Sequence, residues 1–588
     1  MERIAFSTAL VLFLVSGVAL AKDSQSRIPE FFMGRPRKGF LGDSLANKPH
    51  IRAQFDASTA TFDQILDHFT PSDTQLLLFQ RYFYNMNYYK ANDRVFLMLR
   101  GESRADNEWI TYTGYPLVRW AMNHSAALFE LEHRFYGDSR PFPTLATENL
   151  KYLSSKQAIE DAAYFIRYIN EKFNFSDPKW VVFGGSYSGL AQYRLLIYYM
   201  LQSHQCQEFF GALAAWLREK HPELVVGAVA SSAPVEAKLD FYGLFSFYFF
   251  CVFIEYLEVV QKDIRSCSVS CASAVGEAFN AMSELIWTKE GRKNLTETFK
   301  YALRVQDNAQ QGEPSESSRL KPAGKGLPIP STLYIVLRTE SSLMLTPGLN
   351  EISLRYKDME YFFQSMFSPF QDLAQNGGEQ DERDTGAVIC HLSLIVRGQG
   401  DLLDSIYVTG NQAALSVELT NRINLAAYRC WIWQTCTEFG YYQTTDLGRN
   451  IFGSGSPVNY AVDMCNDIYG PEHKIETIDG KIHETLEYFG GNHHFNGTNV
   501  VFPNGNIDPW HVLGLYSSKN PSVVPILING TVHCQDMYEE SRYDPPSLVK
   551  ARKIIASNID KWLRSEQEQQ NMKAEMPKVT SQIKKTRS

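Results

Sequence analysis

The stretch Trp180-Val181-Val182-Phe183-Gly184-Gly185-Ser186-Tyr187-Ser188-Gly189 decides the fold. A short apolar run stops at two glycines, and a serine follows among small neighbours. A serine held on a sharp turn from strand into helix leaves no space for bulky side chains beside it, and Gly184 and Ser188 meet that need. A plain glycine-rich strand end satisfies the same loose pattern, so the surroundings must arbitrate. Upstream, residues 94–99 (Arg-Val-Phe-Leu-Met-Leu) and residues 126–132 read as strands. Between them and Trp180, Ala158, Ala162, Phe165, Ile166 and Ile169 recur at helical spacing over residues 155–173. Strands alternating with helices imply a parallel sheet covered on both faces, so the first part of the chain is α/β.

Two distant segments give Ser186 partners. Asn504-Gly505-Asn506-Ile507-Asp508-Pro509-Trp510 follows a strand-like run at residues 498–502, and Gly530-Thr531-Val532-His533-Cys534 follows another at residues 523–528. The chain order Ser186, Asp508, His533 is that of the α/β-hydrolases. In such a triad the imidazole takes the serine proton on attack and returns it to the leaving group, while the carboxylate fixes the tautomer. The backbone N–H of Tyr187, with one from Gly101 in the loop at residues 100–103, would hold the oxyanion. Asp508 is also explained as an ordinary turn residue. Among the 13 histidines, His493, His494 and His511 are rival bases, and strand-end placement favours His533. The elbow alone does not separate amide from ester chemistry, which keeps a lipase or esterase in play.

At 588 residues the chain exceeds one typical core. Its 57 basic and 65 acidic residues, net −8, offer no basic stripe for nucleic acid. Residues 1–21 read as a signal peptide cut after Ala21, leaving a luminal protein without stable membrane insertion. Sequons at Asn123, Asn174, Asn294, Asn496 and Asn529 fit export, and the nine cysteines fit disulfides better than a metal site. No metal or cofactor is expected, since acyl transfer by a triad needs neither. The organisation read from pattern is a core in two parts, residues 50–237 and 466–564. They flank a mainly helical region at residues 238–465 and precede a polar tail at residues 565–588.

Together, Gly-Gly-Ser-Tyr-Ser-Gly at 184–189, Glu132-His133-Arg134-Phe135-Tyr136-Gly137, Asn504 to Trp510, His533-Cys534-Gln535-Asp536 and Trp431-Ile432-Trp433-Gln434-Thr435-Cys436-Thr437-Glu438-Phe439-Gly440 closely resemble one family. It is that of lysosomal Pro-X carboxypeptidase, dipeptidyl peptidase II and thymus-specific serine protease. The resemblance implies an α/β-hydrolase core with an inserted helical cap. It implies a secreted or lysosomal serine exopeptidase, acting on short peptides at bonds following proline, with Ser186, Asp508 and His533 as the triad. It leaves carboxypeptidase and dipeptidyl peptidase activities undivided, and a homodimer open. A cap-domain bridge between Cys436 and Cys465 is implied in the same way.

The sequence departs from that family in three places. Arg100 and Ser103 stand where the oxyanion-side loop has glycines, and a glycine at positive φ there would leave Arg100 strained and in the way. In relatives Gly-Ala-Leu-Ala-Ala-Trp-Leu follows the elbow almost directly, whereas here it begins at Gly211, after an insert at residues 190–210. A second, apolar insert occupies residues 242–254. One or both read as segments absent from the working protein, and a family member that has lost turnover, through Arg100 or the insert at residues 190–210, and serves as a secreted binding protein is the alternative.

Overall fold

The computed structural model describes residues 31–32, 35–36, 57–70, 77–101, 103–185, 211–240, 256–288, 290–291, 294–295, 359–360, 362–364, 366–368, 370–371, 374–375, 423–446 and 450–564. Both inserts and Ser186 and Tyr187 lie outside this set.

The core is an eight-stranded sheet. Its strands are β1 (Ser58–Ile65), β2 (Leu77–Asn85), β3 (Arg94–Leu99), β4 (Ala127–Leu131), β5 (Lys179–Gly185), β6 (Val225–Ser231), β7 (Val500–Gly505) and β8 (Val523–Ile528), in the spatial order β8-β7-β6-β5-β3-β4-β2-β1. β1 and β2 pair antiparallel, as do β2 and β4, and every other neighbouring pair is parallel. Strands buried on both faces explain the continuous apolar runs read in the sequence. In β3, Val95, Leu97 and Leu99 point to one core and Phe96 and Met98 to the other. Trp180 and Val182 divide from Val181 and Phe183 in the same way in β5.

Helices cover both faces. α1 (Pro116–His124) and the C-terminal helix Pro546–Trp562 bury Leu117, Val118, Ile555, Ile559 and Trp562 on one side. On the other, α2 (Ser155–Lys172) buries Ile159, Ala162, Phe165 and Ile166. Its N-terminus is capped by the Ser154 side chain, which accepts from Gln157 N at 3.3 Å. α3 (Gly211–Lys220) lies beside β5 and β6 with Ala212, Ala214 and Ala215 fully buried. Small residues are needed because a Cβ at Gly211 would stand 2.4 Å from the Ser231 carbonyl oxygen.

Three strands escape the sequence pattern. β1 carries only Phe62 and Gln64 as buried positions, so its alternation is sparse, and pairing with β2 holds it extended. β2 mixes charged and apolar residues because Arg81 is buried against Glu132. β6 contains Gly227 because the Trp562 ring lies 2.2 Å from where its Cβ would be.

Between β6 and β7 the described chain is mainly helical: α4 (Tyr256–Cys267), α5 (Val269–Leu285), α6 (Ile423–Gln434), α7 (Val458–Tyr469) and α8 (Ile475–Phe489). Lys238–Asp240 and Gly440–Tyr442 pair parallel at its root. Cys436 and Cys465 are joined by a disulfide, with Cα atoms 5.8 Å apart. Glu438, in the turn after α6, accepts the N–H of Ser155 at 2.8 Å and so places a carboxyl at the positive end of α2. No described helix is long and apolar enough to cross a membrane.

Candidate active site

The parallel strands present their C-terminal ends along one edge. β5 ends at Gly185, one residue before Ser186, and β7 ends at Gly505, three residues before Asp508. β8 ends at Ile528, and His533 follows on the next loop. The two loops are stitched by backbone hydrogen bonds, Asn506 N to Ile528 O and Ile507 N to Thr531 O, each 3.1 Å.

That stitching brings Asp508 and His533 together. His533 Nδ1 lies 2.6 Å from Asp508 Oδ2, and both side chains are buried. Asp508 Oδ1 accepts the backbone N–H of Trp510 at 2.9 Å. With Nδ1 engaged by a carboxylate, Nε2 is the nitrogen left for proton transfer. It is buried without a hydrogen-bond partner among the described residues.

The loop carrying His533 is anchored from behind. Cys534, at φ +54°, donates its N–H to Ser232 Oγ at 2.8 Å. Asp536 accepts from Ser231 Oγ at 2.6 Å, and burial pushes its carboxyl up to about 7. The buried guanidinium of Arg552 donates to the carbonyls of Gln535, Asp536 and Tyr538. From the middle region, Gln375 O accepts the His533 N–H at 2.9 Å, and Gln375 Oε1 accepts from Trp510 Nε1 at 2.7 Å and Tyr256 Oη at 3.0 Å. Asp263 of α4 is held up to about 8 by burial first and then by the negative charge of Asp508.

The rival histidines stand apart from this pair. His493 and His494 are exposed, and His511 bonds the Asp508 backbone carbonyl rather than its carboxylate. Gly101 is buried just beyond β3, the strand next to β5, and its carbonyl accepts from Ser103 N at 2.8 Å. The strain expected at Arg100 is absent. Its φ is not positive, and its N–H continues the strand pairing by donating to Leu131 O at 2.9 Å. Its side chain turns into the protein with Nε 3.3 Å from Glu130 Oε1, so it does not obstruct Gly101.

Glu132 and Arg134 of the Glu132-His133-Arg134 motif hold structure. Glu132 accepts from Arg81, Ala105 N, Asp138 N and Ser139 Oγ, and Arg134 donates to Asp161 and to three backbone carbonyls. Asn123, Asn174, Asn294, Asn496 and Asn529 are all exposed. Among the described residues, no three of His, Cys, Asp or Glu are grouped to hold a metal ion. Trp510 stood in the quoted motif without a role, and Gln375, Tyr256 and Arg552 had no signal, because the contacts that tie them to the site come from other elements of the chain.

The chain is similar to known proteins over most of its length. A Caenorhabditis elegans protein named as a putative serine protease is 33% identical over 585 residues, covering 92% of each chain. The human thymus-specific serine protease is 29% identical over 518 residues, covering 86% of this chain and 87% of its own. Mouse lysosomal Pro-X carboxypeptidase is 24% identical over 561 residues, covering 94% and 97%. A peroxisomal α/β-hydrolase of Saccharomyces cerevisiae aligns over 91% of this chain and 97% of its own with a TM-score of only 0.31 and 10% identity, too low to carry an argument beside the sheet order itself. The serine carboxypeptidase S28 family model matches residues 64–195, 207–317 and 337–555, and thus passes over residues 196–206 within the first insert. With an α/β-hydrolase core and a match over most of its length, the chain belongs to the serine carboxypeptidase S28 family and is a serine-type peptidase.

Proposed function

We propose that the protein is an exopeptidase that cleaves short peptides at bonds following proline, through an acyl-enzyme on Ser186. The observation that carries the reading is the buried Asp508–His533 pair, at 2.6 Å, on the strand ends beside the terminus of β5. In the first half-reaction Ser186 Oγ forms a bond to the scissile carbonyl carbon as its proton passes to His533 Nε2. The carbonyl electron pair moves onto oxygen, where the N–H groups of Tyr187 and Gly101 would receive it. Collapse breaks the C–N bond, and the imidazolium returns the proton to the departing amine. Water then repeats the sequence on the ester and releases Ser186. Asp508 holds the tautomer and offsets the imidazolium charge throughout.

Proline preference rests on the relatives named Pro-X carboxypeptidase. A lysosomal or secreted location rests on the same relatives and on the leader-like residues 1–21, and the exposed sequon asparagines are compatible with glycosylation on that route.

The test is labelling of the purified protein with a fluorophosphonate, beside Ser186→Ala, followed by peptide mapping. Labelling confined to Ser186 supports the reading, and a folded protein that does not label, or labels elsewhere, sinks it. Proline specificity fails separately if peptides lacking proline are cleaved as fast as those containing it.

A further inference from the structure

Gln375 comes from the middle of the chain, far from both strand-end loops, yet four hydrogen bonds join it to Asp508 and His533 in a closed ring. The ring runs from Gln375 Oε1 to Trp510 Nε1 at 2.7 Å, and from Trp510 N to Asp508 Oδ1 at 2.9 Å. It continues from Asp508 Oδ2 to His533 Nδ1 at 2.6 Å, and returns from His533 N to Gln375 O at 2.9 Å. A further donor, Tyr256 Oη at the start of α4, reaches the same Oε1 at 3.0 Å. Gln375 is fully buried, and Trp510 is 2% exposed. Its ring stands edge-on to Tyr256 and Tyr441, with centroids 5.9 and 5.3 Å away, which limits how Trp510 can turn.

We infer that Gln375 is a positioning residue through which the helical region sets the geometry of the acid–base pair. The inference rests on Asp508 and His533 being that pair. An isolated aspartate and histidine on two loops have several rotamers and two loop positions to choose from. Gln375 restricts both freedoms, because its backbone carbonyl holds the His533 loop and its side-chain carbonyl holds the indole of Trp510, the residue whose backbone N–H caps Asp508. The helical region thereby takes part in the reaction before it touches substrate. Any displacement of residue 375 is passed to the histidine and the carboxylate together.

The experiment uses the full chain, with each preparation normalised to active sites by exhaustive fluorophosphonate titration. Gln375→Met keeps the backbone carbonyl and the volume but removes the side-chain acceptor. Its expected effect is a loss of about ten- to a hundredfold in kcat per titrated site and in the rate of fluorophosphonate reaction, with KM within about threefold. Gln375→Glu keeps an acceptor oxygen for Trp510 and Tyr256 and is expected to recover most of that loss. Trp510→Phe breaks the same link from the other side, so the double variant should be little worse than either single one. A Gln375→Met protein with wild-type kcat per site, or losses that simply add in the double variant, overturns the inference. If Gln375→Met does not fold, Trp510→Phe alone decides. His533→Ala separates the two readings. Undiminished labelling in that variant refutes the acid–base pair itself, whereas lost labelling there with an unaffected Gln375→Met refutes only the positioning role.

Discussion

Gly505→Ala should disable the site without touching any polar residue in it. Gly505 ends β7, and its α-carbon faces the loop that leads into His533. A Cβ there would stand 2.3 Å from Thr531 O, 2.6 Å from Val532 O and 2.8 Å from the Thr531 carbonyl carbon. All three are backbone atoms, so no side chain can swing aside. Ordinary contact begins near 3.4 Å, and relief therefore needs a shift of about 1 Å. Val532 is bonded directly to His533, whose 2.6 Å contact with Asp508 would open to about 3.6 Å, beyond hydrogen-bonding range. A misplacement of that size costs on the order of a hundredfold in rate, and the overpacking costs about 1–3 kcal/mol of stability. The assay is kcat/KM per fluorophosphonate-titrated site, with thermal unfolding in parallel. Gly480→Ala is the control, since nothing lies within 4 Å of its Cβ position on α8. If Gly505→Ala keeps kcat/KM within twofold of wild type, the close approach does not set the geometry of His533, and the reasoning fails.

Asp508→Asn should retain the fold and lower kcat by about ten-thousandfold, because an amide in place of the carboxylate favours the wrong imidazole tautomer; single-turnover kinetics with a peptide ester would check it, and a loss under tenfold would count against the pair. Glu132→Gln should destabilise the core by about 1–3 kcal/mol, since it removes the charge that meets Arg81 and the N–H groups of Ala105 and Asp138 while leaving Arg81 its pairing with Asp138, and denaturant unfolding would measure it. Asp536→Asn tests the raised carboxyl behind His533. The native chain keeps this proton to about pH 7 while the unfolded chain loses it near the ordinary 3.8. The wild-type carboxyl thus costs nothing below about pH 4, and stability is lost as pH rises toward 7. The variant, which cannot ionise, should gain in melting temperature relative to wild type between pH 5 and 8, and a constant difference across that range would refute the assignment.

The sequence by itself determined the class of the fold and the two groups that pair. Apolar runs at β3, β4, β5, β7 and β8 are local signals: strands in the middle of the sheet are buried on both faces and so are mainly apolar, and the edge strand β8 keeps an apolar run of its own. The Asn506–Pro509 turn after β7 and the histidine after β8 are also local, being placed by strand ends. Family resemblance rested on such segments. Tertiary structure decided the rest. β1 and β2 depend on partners elsewhere in the chain for their extended form, and what the charges of Glu132 and Arg134 bind is visible only in their buried contacts. Arg100 looked obstructive in a linear motif because a sequence does not say which way a side chain turns, and Glu130 gives it somewhere to go. Gln375 and Arg552 hold the histidine loop by contacts spanning large sequence separations. No periodicity or spacing encodes such contacts, since a hydrogen bond between distant residues exists only once the sheet and the helical region have packed.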